Sequence, residues 1–526
     1  MNIDNIQNTH SENSGLKWGR WRRIRQAVQI LGLLLFIYLL LINWSSGEAS
    51  SQSGIFFRLN PLTAITAMIA GREWIPMMGW ALITLGVTLL LGRVWCGWIC
   101  PMGTTLDWVR FRGAFQRSAK ISPRWRSVKY MLLLLTLGMA LLGSLTLLIF
   151  DPITIITRAT TTVLLPALNY GITQLEFALY KYKVFQPAIN WVESTLRGVV
   201  LPSIQSAFAL SIFIFVFFAG ILALNALAER FWCRYLCPLG GLLGWLSKIS
   251  LFRPLIKPQC IHCDHCISEC PMEAIQAHTG NGIQPHEITP SECNLCMDCL
   301  ADCPDSSIAF RWQAHPVLAQ EYDPSRRQAL VSLGMGAAGA LMLSTNVAAK
   351  SPNPRLIRPP GVEDEDDFLS KCIHCSECMQ VCATTGLQPT LLEAGLEGLW
   401  TPNLVPRLGP CDYSCTACGE VCPSGAIPLL DLETKRKQVM GLAVLDQNRC
   451  LPWAYATHCI VCEEMCPVPD KAVRVEEVAV IDELGGEVYL QQPYVVRDLC
   501  IGCGICEYNC PMEAQSAIQV QRRSSL

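Results

Sequence analysis

The sequence predicts a multidomain chain: a polytopic α-helical membrane domain, with four spans and a candidate fifth, joined to small α+β domains organised around clustered cysteines. Two observations on the 526 residues lead to this prediction, a 51% hydrophobic composition with positive mean hydropathy and a total of 28 cysteines. The formal net charge of -2 argues against a nucleic-acid partner.

Four apolar runs have the length of membrane helices, since about 20 residues are needed to cross a hydrocarbon core of about 30 Å. These runs are 27–44, 74–91, 130–150 and 208–227. Basic residues crowd the N-terminal tail and the segment between the second and third runs. By the positive-inside rule these segments are cytoplasmic, and residues 45–73 and 151–206 face outward. The longer outer segment is predicted to form helices at the membrane interface.

A fifth, weakly apolar run, 329–349, follows Ser325-Arg326-Arg327. Paired arginines before such a run are typical of a twin-arginine export signal. An ordinary span with a basic cytoplasmic flank is an equal alternative. Both interpretations place the chain after Ser351 on the outer side. Residues 351–367 are rich in proline and then in acid, which is typical of a linker.

These features divide the chain into five predicted segments. They are a basic cytoplasmic tail, a four-span membrane domain, a cytoplasmic domain with two cysteine quartets, a fifth span or signal anchor, and a periplasmic domain with four cysteine quartets. Their limits are 1–25, 26–250, 251–322, 323–350 and 351–526.

All 28 cysteines fall in short clustered motifs. Disulfide frameworks are typical of small secreted domains, whose cysteines are spread along loops. Here the commonest spacing is Cys-x2-Cys-x2-Cys-x3-Cys, which brings three thiolates around one small object. The pattern therefore favours metal binding over disulfides.

Two copies of this run follow the fourth apolar run, beginning at Cys260 and Cys293, and each ends in Cys-Pro. In the bacterial ferredoxin run, three cysteines bind one [4Fe–4S] cluster and the fourth binds its neighbour. The sequence therefore predicts an α+β, bacterial ferredoxin-like domain with two clusters. One is expected on Cys260, Cys263, Cys266 and Cys303, and the other on Cys270, Cys293, Cys296 and Cys299.

Four further quartets beyond the linker supply enough thiolates for four more clusters. They are Cys372, Cys375, Cys378 and Cys382; Cys411, Cys415, Cys418 and Cys422; Cys450, Cys459, Cys462 and Cys466; and Cys500, Cys503, Cys506 and Cys510. The spacing leaves open which fourth cysteine crosses to which cluster. A nested pairing, of the first quartet with the last and the second with the third, is favoured over sequential pairing.

The last four cysteines lie in two near-identical motifs, each at the end of an apolar run. Both read Arg-x-x-Cys-x3-Cys-Pro-x-Gly, starting at Arg93 and Arg230. This repeat predicts two halves packed with approximate twofold symmetry. Candidate ligands of a seventh cluster are Cys96, Cys100, Cys233 and Cys237. Redox-active thiol pairs are the alternative, because an isolated Cys-x3-Cys is less diagnostic than the ferredoxin run.

Haem and flavin are not expected. The sequence has no Cys-x-x-Cys-His for covalent haem attachment, and no histidine in the four long apolar runs. No nucleotide-binding glycine fingerprint follows a strand-like run. Four histidines lie in or beside cysteine motifs and are expected to line cluster pockets instead of binding iron. They are His262, His265, His374 and His458.

The doubled Cys-x3-Cys-Pro motif and the ferredoxin run after it resemble NapH, the membrane half of the quinol dehydrogenase of periplasmic nitrate reductase. The part from Ser325 on resembles NapG, its exported four-cluster ferredoxin partner. The same two modules are similar to MauN and MauM of methylamine utilisation. The resemblance covers residues 20–515. This chain departs from the pattern because it holds both halves, which makes the export signal internal.

The resemblance implies a multi-pass protein of the inner membrane, in contact with membrane lipid, with a periplasmic C-terminal domain. It implies quinol oxidation and electron delivery to a periplasmic cytochrome or reductase. Since clusters on opposite membrane faces would be far apart, a mobile quinone is expected to bridge them. Candidate quinone-binding groups are Asp151 and Arg158, with interface anchoring as the alternative.

Two other functions stay open on the sequence. One is an electron donor for the maturation or reactivation of a periplasmic metalloenzyme. The other is a redox sensor that uses the Cys-x3-Cys pairs as switching thiols. The leading prediction is an iron–sulfur electron-transfer protein of the quinol dehydrogenase type, in which the cofactors supply the chemistry.

Overall fold

The computed structural model describes residues 3–45, 52, 54–109, 121–195, 197, 201–202, 205–277, 286–304, 307–313, 326–344, 353–481 and 487–523. Three regions follow one another along the chain: a helical region over 3–247, a first ferredoxin domain over 252–312, and a C-terminal domain over 353–523. The helix Arg326–Ser344 lies between the last two in the sequence.

The helical region is built mainly from short helices. Its α-helices are Ile3–Ser45, Ile55–Arg58, Pro61–Gly71, Ala81–Leu91, Pro101–Trp108, Ser127–Leu141, Pro152–Ala159, Leu165–Leu179, Gln186–Thr195, Ser211–Ala223 and Pro238–Ser247. Short 3-10 or π-helical turns occur at Pro76–Trp80, Trp95–Ile99, Pro123–Arg126, Thr146–Phe150, Thr160–Leu164, Leu224–Ala226 and Trp232–Leu236. Several α-helices begin at proline, whose fixed φ and missing N–H suit the first helical position.

The prediction of a polytopic membrane domain is wrong. Among the described residues, one helix, Arg20–Asn43, is long and apolar enough to cross a membrane. The other apolar helices are shorter, namely Pro61–Gly71, Pro76–Leu91, Ser127–Leu141 and Ser211–Ala226. The 11 residues of Ala81–Leu91 rise about 17 Å, whereas a hydrocarbon core is about 30 Å thick.

Breaks in the backbone explain why the helices in the predicted spans are short. In the predicted span 74–91 the α-helix begins only at Ala81, after the 3-10 turn Pro76–Trp80, and in the predicted span 130–150 Gly143, with φ 86°, follows the helix Ser127–Leu141. Glycine adopts such positive φ values at little cost. Hydropathy averaged along the sequence counts the residues on both sides of these breaks as one run. Some residues used for the orientation and export-signal predictions lie outside the described residues, namely the basic residues of 110–120 and Ser325.

The run after the paired arginines forms the helix Arg326–Ser344, which is not one of the helices apolar enough for a span. It packs along Ser127–Leu141 with close backbone approach. A Cβ on Gly336 would lie 2.5 Å from the Leu135 carbonyl oxygen, and one on Gly138 would lie 2.7 Å from the Leu333 carbonyl oxygen. This contact therefore requires a residue without a side chain on each helix.

The named strands of the described residues pair antiparallel in two-stranded sheets. In the first ferredoxin domain the pairs are Phe252–Ile256 with Ile308–Trp312 and Ile275–Gln276 with Glu287–Ile288. In the C-terminal domain they are Leu387–Pro389 with Pro402–Leu404, Leu442–Leu445 with Ile518–Gln521, and Val473–Ile481 with Glu487–Val495. The helices of these two domains are His265–Ser268, Asp298–Ala301, Glu365–Lys371, Glu377–Gln380, Ala417–Glu420, Leu432–Lys437, Leu451–Ala454, Val461–Glu464, the 3-10 turn Arg497–Leu499, and Ile505–Asn509.

The two ferredoxin-type domains contact opposite ends of the apolar segment Arg20–Asn43 of the N-terminal helix. Near its start, Arg25 pairs with Asp298 of the first ferredoxin domain at 3.1 Å. Near its end, the Leu40 carbonyl accepts a 2.7 Å hydrogen bond from Gln380 Nε2 of the C-terminal domain. The helix rises about 23 Å between Arg25 and Leu40. The helical region therefore lies between the two domains.

Candidate metal centres

The structure groups the cysteines of the first ferredoxin domain around two cavities. One is lined by Cys260, Cys263, Cys266 and Cys303. The other is lined by Cys270, Cys293, Cys296 and Cys299. In each cavity three thiols come from one loop and the fourth comes from the other copy of the motif. This is the crossed arrangement that the ferredoxin spacing predicts.

The C-terminal domain has four further groups, and they pair neighbouring quartets. Three line cavities, namely Cys382 with Cys411, Cys415 and Cys418; Cys450, Cys459 and Cys462 with Cys510; and Cys466 with Cys500, Cys503 and Cys506. In the fourth group, burial and the nearby thiols of Cys375, Cys372 and Cys422 raise the pKa of Cys378.

The nested pairing favoured from the sequence is therefore wrong, and the pairing is sequential. The hairpin Val473–Ile481 and Glu487–Val495 lies between the third and fourth quartets in the sequence. Its antiparallel strands return the chain to its starting point, so Cys500 comes back to Cys466. Each pair of successive quartets thus forms its own two-site unit.

Left-handed backbone conformations shape the Cys-x2-Cys loops. The residues before and after the second cysteine both have positive φ in four motif copies. These pairs are His262 and Asp264, Leu295 and Met297, His374 and Ser376, and Gly502 and Gly504. Such conformations cost free energy for residues other than glycine, and they persist where the surrounding structure imposes them. The two copies with longer first spacings have Thr416 and Ile460 at negative φ instead.

The fourth cysteine of a quartet accepts hydrogen bonds from the backbone. Ala274 N lies 3.3 Å from Cys270 Sγ, Ile427 N lies 3.4 Å from Cys422 Sγ, and Ala472 N lies 3.3 Å from Cys466 Sγ. All 28 cysteines are free of disulfides. Burial raises the pKa of many of them, for example that of Cys462 to about 12. Thiolates crowded in this way need a positive charge between them, and a [4Fe–4S] cluster fits the donor set.

Cys96, Cys100, Cys233 and Cys237 also converge, and we call them the helix-held site. All four are buried in one apolar cluster of the helical region. Burial, followed by the neighbouring thiols of Cys96 and Cys233, raises the pKa of Cys100. Burial, with Cys233 and Cys96 as neighbours, does the same for Cys237. The two distant motifs therefore meet at one place.

The two copies of the repeated motif have the same local structure. In each, a π-helical turn, Trp95–Ile99 or Trp232–Leu236, carries the first cysteine. The second cysteine is the N-cap of a helix that begins at proline, Pro101–Trp108 or Pro238–Ser247. π-Helical turns are rare and occur frequently at functional sites.

The arginine that opens each motif reaches the other copy. Arg230 Nη1 donates a 3.1 Å hydrogen bond to the Cys96 carbonyl, and Arg93 Nη2 lies 3.0 Å from the Cβ position of Gly240. Both guanidinium groups are buried and paired, Arg230 with Asp107 at 2.5 Å and Arg93 with Glu292 at 3.6 Å. The sequence shows these arginines as part of the repeat, but their crossed contacts depend on the tertiary fold.

The helix-held site abuts the first ferredoxin domain. A Cβ on Gly97 would lie 2.1 Å from the carbonyl oxygen of Asn294, the residue after Cys293. Trp98 Nε1 donates a 2.9 Å hydrogen bond to the Leu295 carbonyl. The turn between Cys96 and Cys100 therefore touches the loop that carries Cys293 and Cys296.

On its other side, the helix Pro152–Ala159 separates the helix-held site from the C-terminal domain. Its N-cap, Asp151, accepts hydrogen bonds from Ile153 N at 3.0 Å and from Asn60 Nδ2 at 2.9 Å. Asp151 is an electrostatic neighbour of Cys100 and Cys237. Burial raises the pKa of Asp151 to about 6.

Near the end of that helix, Arg158 Nη1 lies 3.4 Å from the His374 carbonyl of the C-terminal domain. The whole of Pro152–Ala159 is buried, so this part of the predicted interface segment is a core helix. Asp151 is buried within the helical region, and Arg158 is buried where that region meets the C-terminal domain.

The histidines near the cysteine motifs differ in their surroundings. His374 is buried, with Nδ1 2.8 Å from the Leu399 carbonyl oxygen. His262 packs edge-on against His286, with ring centroids 5.1 Å apart, whereas His265 and His458 are exposed. His286 also lines the cavity of Cys260. The sequence did not indicate this, because His286 lies outside the cysteine motifs.

Comparison with known proteins agrees with this geometry. A family profile described as a 4Fe-4S binding domain matches residues 73–120 and 210–258, which carry the two copies of the repeated motif. A second profile of the same description matches 493–516, which carries the last quartet. The repeated motif is thus part of a cluster-binding family.

Relatives of this chain include ferredoxin-type proteins. The chain is 37% identical over 216 residues to the methylamine utilization ferredoxin-type protein MauM of Methylorubrum extorquens, covering 39% of this chain and 93% of that protein. It is 37% identical over 189 residues to the ferredoxin-type protein NapG of Escherichia coli, covering 36% and 79% respectively. YccM of Escherichia coli, provisionally named an electron transport protein, is 26% identical over 333 residues, covering 57% and 78%.

No solved structure matches the chain. The N-terminal helix has the length and composition of a membrane anchor or a signal sequence. The converging cysteine quartets, the 4Fe-4S profiles and the relatives describe a ferredoxin-type [4Fe–4S] electron-transfer protein. The chain belongs to the NapG/MauM family of ferredoxin-type proteins.

Proposed function

We propose that this protein is a membrane-attached electron carrier with seven [4Fe–4S] clusters in series. Each of the seven cysteine groups described above holds one cluster, and neither haem nor flavin takes part. Electrons pass from quinol to a periplasmic cytochrome or reductase, of the nitrate reductase type or a similar respiratory system. The observation that carries the proposal is that the helix-held site contacts the first ferredoxin domain and is joined to the C-terminal domain by one buried helix, Pro152–Ala159.

The contact with the first ferredoxin domain is direct. Gly97 has no room for a side chain beside Asn294, and Arg93 Nη1 donates a 2.7 Å hydrogen bond to the Ser291 carbonyl. Arg93 also pairs with Glu292, which precedes Cys293. These buried contacts favour a first ferredoxin domain that stays docked, not one that moves as a separate carrier.

The contact with the C-terminal domain runs along the helix Pro152–Ala159. Seven residues separate Asp151, beside the helix-held site, from Arg158, beside His374, so the helix rises about 11 Å between them. His374 lies between Cys372 and Cys375 in the sequence. A series of sites joined in this way does not require a mobile quinone between the two ferredoxin-type domains.

The N-terminal helix supports attachment to the inner membrane. Its exposed residues Leu31, Leu34, Leu35 and Tyr38 follow the i, i+3, i+4, i+7 pattern of one helix face, which would contact lipid. Its basic start contacts the first ferredoxin domain and its end contacts the C-terminal domain. By the positive-inside rule, the C-terminal domain is then periplasmic.

The test is cluster content and response to quinol. Protein purified anaerobically in detergent should contain about 28 iron and 28 sulfide per chain, four of each per site. EPR signals of reduced clusters should appear on titration with a quinol analogue. In Cys96→Ser/Cys233→Ser the content should fall to about 24.

Three outcomes would change the proposal. Wild-type content of about 24 would leave the helix-held site without a cluster. Full loading with no response to quinol would remove quinol as the donor and favour the maturation role. Loss of activity in Cys96→Ser/Cys233→Ser with iron unchanged would favour switching thiols.

A further inference from the structure

Arg158 carries a buried positive charge without a carboxylate partner. Its side chain is 1% exposed. The guanidinium lies over the ring of Trp400, 3.8 Å from the ring centroid, and is 3.4 Å from the carbonyl oxygens of His374 and Ile149. Within the part of the chain that the structure describes, no acid pairs with it and its Nε has no acceptor.

Arg358, a buried arginine beside Cys372, shows the usual pairing of a buried arginine with a carboxylate. Its Nε donates a 3.0 Å hydrogen bond to Glu365 Oε2, and its Nη1 donates one of 3.0 Å to Thr401 Oγ1. Buried charges are expensive unless they are paired and hydrogen-bonded. The positive charge of Arg158 therefore needs a negative charge that is not a carboxylate.

The cysteine group of the C-terminal domain that faces the helical region would supply such a charge once it holds a cluster, since Arg158 Nη1 lies 3.4 Å from the carbonyl oxygen of His374, the residue before Cys375. Cys375 is the one electrostatic partner that raises the pKa of Arg158 against the effect of burial. A [4Fe–4S] cluster with four thiolates is anionic, and one-electron reduction adds one more negative charge. A fixed positive charge beside it favours the reduced form.

We infer that Arg158 is the counter-charge of the cluster on Cys372, Cys375, Cys378 and Cys422, and that it raises the reduction potential of this cluster. The inference rests on cluster occupancy as given in the proposed function. This cluster is the one that the C-terminal domain presents to the helical region. A higher potential makes electron transfer from the helical region to this cluster of the C-terminal domain more favourable.

The residues around Arg158 hold it in place. Trp400 has φ 61° and His374 has φ 56°, both unusual for these residue types. The His374 ring accepts or donates a 2.8 Å hydrogen bond at the Leu399 carbonyl, next to Trp400. Two strained residues thus position the surface on which the guanidinium lies, as expected where the geometry serves a function.

The test is an EPR-monitored redox titration of the full-length, anaerobically purified protein. In Arg158→Gln, the equilibrium of one cluster should shift about tenfold toward the oxidised form, which is 59 mV for one electron. In Arg158→Lys, which keeps the charge, most of the potential should be retained. Arg197→Gln removes an arginine paired with Glu176 and Glu193, and it should leave every potential unchanged.

Iron content separates this inference from the proposed function. If Arg158→Gln loses four irons, its cluster potential cannot be measured. Arg158→Lys is then the deciding variant, and a potential close to that of the wild type supports the inference. Equal potentials in wild type and both variants with full iron would overturn it. So would equal losses of potential in Arg158→Gln and Arg158→Lys. A wild type that is fully loaded but silent to quinol would refute the quinol donor alone, because the shift is measured with a chemical reductant.

Discussion

Six of the seven cysteine groups are held by loops, and the seventh is held by helices. In a loop-held group, three thiols come from one short motif, such as Cys260, Cys263 and Cys266. In the helix-held site, each of two distant motifs supplies two thiols, and both motifs have the same π-helical turn. The loop-held groups depend on local backbone conformation, whereas the helix-held site depends on tertiary packing and buried ion pairs.

This difference means that a substitution away from the cysteines can disrupt the helix-held site. Asp107 is the position where we expect this most clearly. It accepts hydrogen bonds from Arg230 Nε at 2.7 Å and from Gln29 Nε2 at 2.8 Å, and it pairs with Arg25 at 3.4 Å. One carboxylate thus joins the second motif to the N-terminal helix.

Asp107→Asn should have the largest effect. It leaves Arg230 buried without its counter-charge, which costs about 3–5 kcal/mol. We expect a lower urea midpoint and a fall from about 28 to about 24 irons per chain, since the loop-held groups keep their local structure. The exposed Glu363→Gln should change neither quantity. Iron loss spread over all seven groups would contradict the distinction.

The next largest effect concerns the pH dependence of stability, which should respond to Asp151, the buried carboxyl beside the helix-held site. Burial raises the pKa of Asp151 from 3.8 to about 6. A carboxyl with a raised folded pKa stabilises the fold fully below pH 3.8, and this contribution is lost as the pH rises through about 6. This rise of the Asp151 pKa from 3.8 to about 6 corresponds to about 3 kcal/mol. Stability should therefore fall as the pH rises from about 4 to about 6.

Asp151→Asn should remove that fall while keeping an N-cap oxygen for Ile153 N. It also places an amide opposite Asn60, so the slope with pH is compared, not the absolute stability. The measurement is anaerobic urea unfolding across this pH range. Asp364→Asn, at an exposed N-cap of the C-terminal domain, should keep the wild-type slope. Equal slopes in the wild type and Asp151→Asn would show that Asp151 is charged throughout.

Gly97→Ala should have a smaller effect and act on docking. Its Cβ would lie 2.1 Å from the Asn294 carbonyl oxygen, so one backbone must move. Overpacking of this kind costs about 1–3 kcal/mol. Gly86→Ala is the matched control, because its Cβ meets nothing within 4 Å in the helix Ala81–Leu91. It should stabilise by about 0.5–1 kcal/mol. Equal urea midpoints in the two variants would argue against tight docking.

The sequence showed what a known motif specifies and missed what only the tertiary fold decides. The crossed pairing of Cys303 with the Cys260 motif followed from the bacterial ferredoxin run, in which the fourth cysteine of one copy binds the cluster of the other. Pairing in the C-terminal domain did not, since a hairpin decides which quartets meet. The membrane spans failed because hydropathy does not register a backbone break such as that at Gly143. The contact of Arg158 with the His374 loop joins residues 216 positions apart, and no motif marks it.

Gln380→Ala should have the smallest effect, because it removes a single hydrogen bond of a domain contact and no cysteine, although Gln380 lies between Cys378 and Cys382. Gln380 is buried, and its Nε2 donates a 2.7 Å hydrogen bond to the Leu40 carbonyl. Losing one such bond costs about 1 kcal/mol. Gln186→Ala, which removes an exposed 3.1 Å bond to the Tyr180 carbonyl, is the control and should cost less. Both variants should keep full iron content, so a loss of iron in Gln380→Ala alone would show that loop-held groups also depend on packing against the helical region.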